Sequence, residues 1–419
     1  MTRPVEEVWR REAPHVLGAL VRRHGDFDAC EDALQEAMLD ATVQWQRDGV
    51  PAQPRGWLVR VASRRLVDRW RSESAQADRE LRVAAADVGA GEVEDVDATL
   101  DLLLLCAHPA LSAASQVALA LRAVGGLTTE QVAAGFLVPP ATMGQRISRA
   151  KATLREAGAR FGEVAAAERT ARLSAVRYVL YLVLNEGYAA SGGDRLVDVS
   201  LTDEAVRLCR LLHERVPQDD ETAGLLALAL LTTARTPART DASGDLVRLA
   251  DQDRALWDRE RIAEGVALLE EALPRGRVGR FQLEASIAAV HAEAASAADT
   301  DWQQVAVLYA MLDRVAPSPA VTLSRAVAVG MSEGPLAGLA LTDPLLEDRS
   351  MRRHHRLPAV RAHLLEMAGR REEAALAYAT AAALATSIPE QRYLNSRASS
   401  SSRPTPVPVA RRSRARDTT

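Results

Sequence analysis

Lys151 is the only lysine in this 419-residue chain, so nearly all of its positive charge is arginine. That bias suggests a GC-rich genome and says nothing about function. Cys30, Cys106 and Cys209 are widely spaced with no CxxC pair, which argues against both a disulfide framework and a zinc site. Cys106 and His108 lie close together, but two candidate ligands do not make a metal site, and a buried cysteine beside a helix-capping histidine is the cheaper reading. Aromatic residues are only 4% of the chain. Alanine and leucine dominate what remains, a composition that favours helix over strand. No apolar run approaches the ~18 residues of a membrane span, and no signal-peptide pattern opens the chain, so a cytoplasmic protein is expected. No nucleophile–base pair, phosphate loop or metal-ligand cluster is present, so neither an enzyme nor a cofactor is expected. The net charge of −4 excludes a surface that is basic throughout, and any nucleic-acid contact must come from local patches.

One such patch lies within Leu127–Arg155, which reads as helix, short turn, helix. Thr128 and Gln131 have capping-box spacing, and Pro139 and Pro140 punctuate before the second helix. At 100° per residue, Met143, Ile147, Ala150 and Leu154 fall on one side of that helix. Ala141, Gln145, Ser148, Arg149 and Ala152 fall opposite, with Thr142, Arg146 and Lys151 on the flanks. This is the layout of a helix-turn-helix whose second helix enters a major groove. From Pro139 to Arg160 there are five basic residues and one acid. Gln145 and Arg149 suit base edges, while Arg146 and Lys151 suit phosphates. An amphipathic hairpin with a solvated basic face is the plainer alternative.

The first segment carries two faces of opposite charge. Through Pro54 there are six arginines and ten acids, whereas from Arg55 to Arg71 there are six arginines and one acid. Such segregation suggests two different partners. In the acidic half, Cys30, Ala33, Leu34, Ala37, Met38, Ala41 and Trp45 form the inner side of a helix. Asp32, Gln35, Glu36 and Leu39 share its other side, an apolar anchor ringed by charge that suits protein docking. In the basic half a helix from Trp57 buries Leu58, Val59, Ala62, Leu66 and Trp70. Arginines 60, 64 and 71 line its opposite side beside Trp57, the apparatus for phosphates and stacked single-stranded bases.

These two stretches, EDALQEAMLDA with QPRGWLVRVASRRLVDRWR and LTTEQVAAGFLVPPATMGQRISRAKATLR, resemble the sigma-70 family of RNA polymerase sigma factors. The likeness is to the extracytoplasmic-function type, which keeps only regions 2 and 4. The resemblance implies an all-α chain with region 2 over 5–71 and region 4 over 100–160. Asp32, Gln35, Glu36 and Leu39 then match the helix that binds the clamp of core RNA polymerase, on its largest subunit. Trp57, Arg60, Arg64, Arg65 and Arg69 match positions that contact and melt the −10 promoter element. Thr142, Gln145, Arg146, Ser148, Arg149 and Lys151 match the −35 recognition helix, with Arg146 and Lys151 at backbone-contacting positions. Many members carry a basic residue where this chain has Gly144. The acidic stretch 72–99, with Gly89 and Gly91, reads as a flexible linker.

Beyond Phe161 follow some 230 residues, helical by pattern, with breaks near Pro217, Pro317 and Pro389. The separations approximate multiples of the ~34-residue tetratricopeptide repeat, so a degenerate helical-repeat domain is expected over 161–395. A non-repeating α-bundle is the alternative. The extension resembles that of extracytoplasmic-function sigma factors with a C-terminal tetratricopeptide-like domain, where it is thought to regulate the factor. Small YCII/DGPF-type proteins are genomic neighbours in that group and, with other ligands, are candidate partners of the domain. Asn185, Glu186, Gly187 and Tyr188 are candidates for a regulatory contact, although Gly187 could simply break a helix. Asp251, Asp253 and Asp258 read as helix caps and ion-pair partners before a metal site. The tail 396–419, with six arginines and one acid, reads as disordered. A helix-turn-helix regulator that recruits polymerase without replacing its sigma subunit is the second functional reading.

Overall fold

The computed structural model describes residues 3–74, 98–136, 138–162, 164, 166–189 and 193–401. Among the described residues are eighteen α-helices and two isolated β-bridges, with no strand. The all-α class expected from composition is the one adopted.

Three helices form the N-terminal unit: α1 (Arg3–His24), α2 (Phe27–Asp48) and α3 (Pro54–Ser74). The Asp26 side chain caps α2 by accepting from the Ala29 amide at 3.1 Å, a contact worth about 1 kcal/mol. All seven residues expected on the inner side of α2 are buried. Fully burying a leucine such as Leu34 contributes about 2–3 kcal/mol, so this stripe fixes the helix against α1 and α3.

The second unit is α4 (Thr99–Cys106), α5 (Ala113–Ala123), α6 (Thr129–Gly135) and α7 (Pro140–Glu156). The capping box closes as its spacing predicts. The Thr128 amide donates to Gln131 Oε1 at 2.8 Å, and the Gln131 amide donates to Thr128 Oγ1 at 3.2 Å. Pro140 occupies the first turn of α7, where its missing N–H costs nothing. The linker expected over 72–99 lies largely outside the described residues; α3 carries its first three residues to Ser74, and α4 begins at Thr99.

The C-terminal part comprises α8 (Ala166–Tyr188), α9 (Val199–Arg215), α10 (Asp220–Thr233), α11 (Arg259–Ala272), α12 (Arg280–Glu293), α13 (Trp302–Val315), α14 (Pro319–Ser332), α15 (Pro335–Thr342), α16 (Arg356–Met367), α17 (Arg371–Leu384) and α18 (Ile388–Ser401). From α13 onward alternate helices start 32 to 37 residues apart, for example α13 and α15 at Trp302 and Pro335. That is near the tetratricopeptide period. Upstream the register fails, since α8 and α10 start at Ala166 and Asp220, 54 residues apart. The end of the domain returns to its beginning: Gly193 bridges Ser387, and the Ile388 amide donates to the Gly193 carbonyl at 2.9 Å.

Two local expectations are corrected. Gly187 does not break α8, which runs through it to Tyr188. Its role is close approach, because a Cβ there would sit 2.8 Å from the Thr202 backbone nitrogen of α9. The tail expected to be disordered from Ser396 is instead helical to Ser401 as the end of α18, and residues 402–419 lie outside the described residues.

The core is continuous across the units. One buried cluster reaches from Trp9 through α7 to Ala292 of α12. Leu201 of α9 lies against Gly135 at the end of α6, and Arg207 donates to the Val124 carbonyl at 3.0 Å. The C-terminal part thus grips the scaffold of the helix-turn-helix, on its α5–α6 turn.

Candidate nucleic-acid interface

On α7 the expected division of faces holds. Met143, Ile147, Ala150 and Leu154 are buried, while Thr142, Gln145, Ser148 and Arg149 are exposed and Arg146 is half-buried. Arg149 Nε donates to the Gln145 carbonyl one turn back at 3.3 Å, which lays its side chain along the open face. Gly144 is half-buried, and a Cβ there would meet only Thr129 Cγ2, at an ordinary 3.9 Å.

Lys151 departs from expectation. It does not flank the open face but is buried, 7% exposed, with Nζ 2.9 Å from Asp28, 2.7 Å from Glu31 and 2.8 Å from Asp32. All three carboxylates belong to α2. Burial alone would lower the pKa of the ammonium, but the charge of Glu31 and the hydrogen bonds to Asp32, Glu31 and Asp28 outweigh it and raise the pKa above the usual lysine value. Glu31 is itself only 2% exposed and divides its carboxylate: Oε2 meets Lys151, and Oε1 accepts from Arg122 of α5 at 2.9 Å. Arg155 reaches Asp28 at 3.3 Å. Nearby, Trp9 of α1 donates its indole N–H to the Gly126 carbonyl at 2.7 Å. The N-terminal unit and the helix-turn-helix are therefore clamped together by a buried ionic cage.

The residues expected to serve two different partners also meet each other. Arg65 reaches Asp40 at 2.6 Å and Glu36 at 3.5 Å, and Arg69 reaches Glu36 at 2.7 Å and Asp32 at 3.3 Å. So two arginines assigned to the −10 element bind two acids assigned to polymerase. These pairs are solvent-accessible, and such pairs contribute about 1 kcal/mol or less, so a phosphate or a partner protein can replace them cheaply. The buried Lys151–Glu31 pair cannot be exchanged on those terms, because removing one partner of a buried pair costs about 3–5 kcal/mol.

The remaining expected residues divide by exposure. Arg60 and Arg64 are exposed on α3, and Gln35 is half-buried on α2. Leu39 is 69% exposed, an apolar side chain standing in an acidic stripe. Trp57 is half-buried and packs edge-on against Trp45 with ring centroids 5.3 Å apart, so it is anchored from behind. Arg71 has no described side chain. In α8, Tyr188 lies under Arg239, whose guanidinium carbon is 3.6 Å from the ring centroid.

Glu31 was missed by reading the sequence. The signal was available, since Glu31, Met38 and Trp45 recur every seven residues on one stripe of α2, and an acid on a buried stripe needs a cation. The three cysteines are all buried, and burial pushes the Cys30 and Cys209 thiols up to about 12. Such thiols stay protonated at neutral pH. Asp253 caps a single helical turn, Asp258 caps α11, and Asp251 pairs with Arg248 at 2.5 Å, as the caps-and-pairs reading has it. Among the described residues no three His, Cys, Asp or Glu side chains are placed to hold a metal ion. No helix among them is long and apolar enough to cross a membrane.

Comparison with known families agrees with this geometry. Sigma-70 region 2 matches residues 8–76, and Sigma-70, region 4 matches residues 101–154. A family of unknown function, DUF6596, matches residues 172–273. The chain is 43% identical over 393 residues to an uncharacterized protein of Rhizobium meliloti, covering 91% of this chain and 92% of the relative. It is 32% identical over 164 residues to SigI of Mycobacterium tuberculosis, a probable ECF RNA polymerase sigma factor, covering 36% of this chain and 55% of that protein. No solved structure matches the chain.

Proposed function

The chain belongs to the sigma-70 family, in its extracytoplasmic-function branch, and is an RNA polymerase sigma factor; from that premise we propose that the arrangement described above is its closed state, held by the Lys151 cage and regulated through the C-terminal domain. The observation that carries this reading is the contact of Lys151 with Asp28, Glu31 and Asp32. Promoter elements named −35 and −10 lie about 25 base pairs apart, about 85 Å along B-form DNA at ~3.4 Å per base pair. Two units whose charged side chains touch cannot occupy both elements at once. Opening must precede initiation, and Asp32, at the rim of the cage, is also a proposed contact of the polymerase clamp. Polymerase binding at Asp32, Gln35, Glu36 and Leu39 would then draw Asp32 from Lys151 and favour the open form.

In this account Thr142, Gln145, Arg146, Ser148 and Arg149 read the −35 element. Arg60 and Arg64 contact the −10 element first, and Arg65 and Arg69 join them as their surface pairs exchange for phosphate. Lys151 acts as a latch and not as a phosphate contact. The C-terminal domain holds α5 and α6 through α9, so a change in it can reach the helix-turn-helix directly. Its input is a ligand or a small protein of the YCII/DGPF kind. The protein works in the cytoplasm and carries out no covalent chemistry of its own.

The test is in vitro transcription by purified core polymerase with the full chain and its Lys151→Met variant. With core enzyme limiting, the latch account expects more initiation by Lys151→Met than by the parent. A loss of initiation by a folded Lys151→Met protein would instead make Lys151 a phosphate contact and end the latch reading. Failure of the parent chain to initiate on any promoter, with tight duplex binding in the absence of polymerase, would favour a regulator that leaves the sigma subunit in place.

A further inference from the structure

Three arginines in the C-terminal domain, Arg235, Arg239 and Arg254, are half-buried, and among the described residues no carboxylate is bound to any of them. Arg239 donates to the Tyr188 carbonyl and stacks on the Tyr188 ring, and Arg235 faces the same ring with its guanidinium carbon 5.9 Å from the centroid. Arg254 donates to the carbonyls of His291 and Ala294, both at 2.7 Å, and lies 4.4 Å from the Trp257 ring. Beyond those bonds, buried Arg235 Nε, Arg254 Nη2, Trp257 Nε1 and His291 Nδ1 have no hydrogen-bond partner among the described residues. Three of these four are obligate donors.

Two acids act on the cluster from a distance, Glu390 on Arg239 and Asp299 on Arg254, and both have nearer partners. Glu390 lies 3.3 Å from His355, and Asp299 accepts from Ser296 at 2.7 Å. The cations accordingly work against each other. Burial and then the charges of Arg235 and Arg254 push His291 down to about 4, and burial with Arg235 also lowers Arg239 and Arg254. Clustered guanidiniums with no carboxylate in direct contact are costly to bury, and their rigid forks match the oxygens of an oxyanion.

We propose that Arg235, Arg239 and Arg254, with Tyr188 and His291, form a binding site for a small phosphate-bearing molecule. A phosphate monoester or diphosphate brings about two negative charges and several acceptor oxygens, matching three cations and unused donors better than one carboxylate does. The return of Gly193 onto Ser387 brings both ends of the domain to this place. Arg239 feels Glu390 of α18 and Arg356 at the start of α16, as well as Tyr188 of α8. Ligand binding there would tie α8, which packs on the helix-turn-helix scaffold, to the last helices of the domain. This deepens the regulatory reading of the domain, but binding can be measured without transcription, so either can fail alone.

The experiment is thermal unfolding of the full chain with inorganic pyrophosphate, against sodium chloride and citrate at matched ionic strength. Pyrophosphate in ~100-fold excess over its Kd should raise Tm by about 5 °C, and chloride and citrate should not. The Arg235→Met chain should lose the rise while starting at the parent's Tm or above, because a repelling cation is gone. Its His291 should titrate closer to the ordinary histidine value by NMR. Arg235→Lys, which keeps the charge without the fork, should show a reduced rise. An equal rise in the parent and Arg235→Met, an equal rise with citrate, or no rise in the parent would overturn the proposal. So would an Arg235→Met chain of lowered Tm with unchanged His291 titration, which would make Arg235 structural.

Discussion

Lys151 and Arg235 are both cations withdrawn from water, one in each half of the molecule, and they are treated in opposite ways. Lys151 has three carboxylates within 3 Å, all from another unit, whereas Arg235 has an aromatic ring and an unused donor. A buried charge that is fully paired holds two surfaces together, and its removal leaves uncompensated partners. A buried charge left unpaired stores unfavourable energy that an incoming anion can release. The first ties the two N-terminal units together, and the second is the centre of the anion site proposed for the C-terminal domain.

The largest effect is expected at Lys151. Lys151→Met should destabilise the closed arrangement by about 3 kcal/mol in urea unfolding, the low end for breaking a buried pair, because Asp28, Glu31 and Asp32 lose their shared cation but keep Arg155, Arg122 and Arg69. Tryptophan fluorescence weights the N-terminal unit, since four of the six tryptophans, Trp9, Trp45, Trp57 and Trp70, lie in it. A loss under 1 kcal/mol would place Lys151 among ordinary surface ion pairs. The contrast with Arg235→Met, expected to be neutral or stabilising, is sharpest when both are measured in the same buffer.

Next in size is Leu39→Asp. An exposed side chain contributes little to folding, so Tm should stay within the range of ordinary surface substitutions. Its affinity for core polymerase should nonetheless fall by at least ~2 kcal/mol if Leu39 anchors the docking stripe. Normal holoenzyme assembly by this variant would remove the stripe from the interface. Arg149→Ala should weaken use of the preferred −35 sequence by about 1–3 kcal/mol, as for a bidentate base contact, with little effect on closure. An equal loss on every −35 sequence would make Arg149 a phosphate contact. The smallest effect belongs to Gly144→Ala, which should stabilise α7 by about 0.5–1 kcal/mol in thermal unfolding, since a Cβ there meets only ordinary contact.

What was legible in the sequence was local. The inner face of α2, the capping box at Thr128 and Gln131, the proline start of α7 and its buried stripe all follow from helical period and backbone chemistry within a few residues. Lys151 was misplaced because its partner Asp32 is 119 residues earlier, and a helical wheel knows only its own helix. Likewise the arginine pairs of α3 with α2 could not be read from two charge runs that looked like separate interfaces. Gly187 was ambiguous for the same reason, since a glycine that ends a helix and one that admits a neighbouring helix look alike until the neighbour is known. The arginine cluster draws on α8, the segment after α10 and α12, and no sequence spacing brings those together.

Closure itself is best tested by electron–electron resonance between spin labels at Gln44→Cys on α2 and Glu156→Cys on α7, both exposed. The native cysteines are buried and leave labelling to the introduced pair. Gln44 is about 12 residues along α2 from Asp32 and about 16 from Asp28, so the labels should lie within about 35 Å in the free chain. Bound to core polymerase on promoter DNA, they should separate beyond about 50 Å. A short distance in the free protein that lengthens in the initiation complex is the predicted result. The same distance in both states, with transcription proceeding, would contradict the latch.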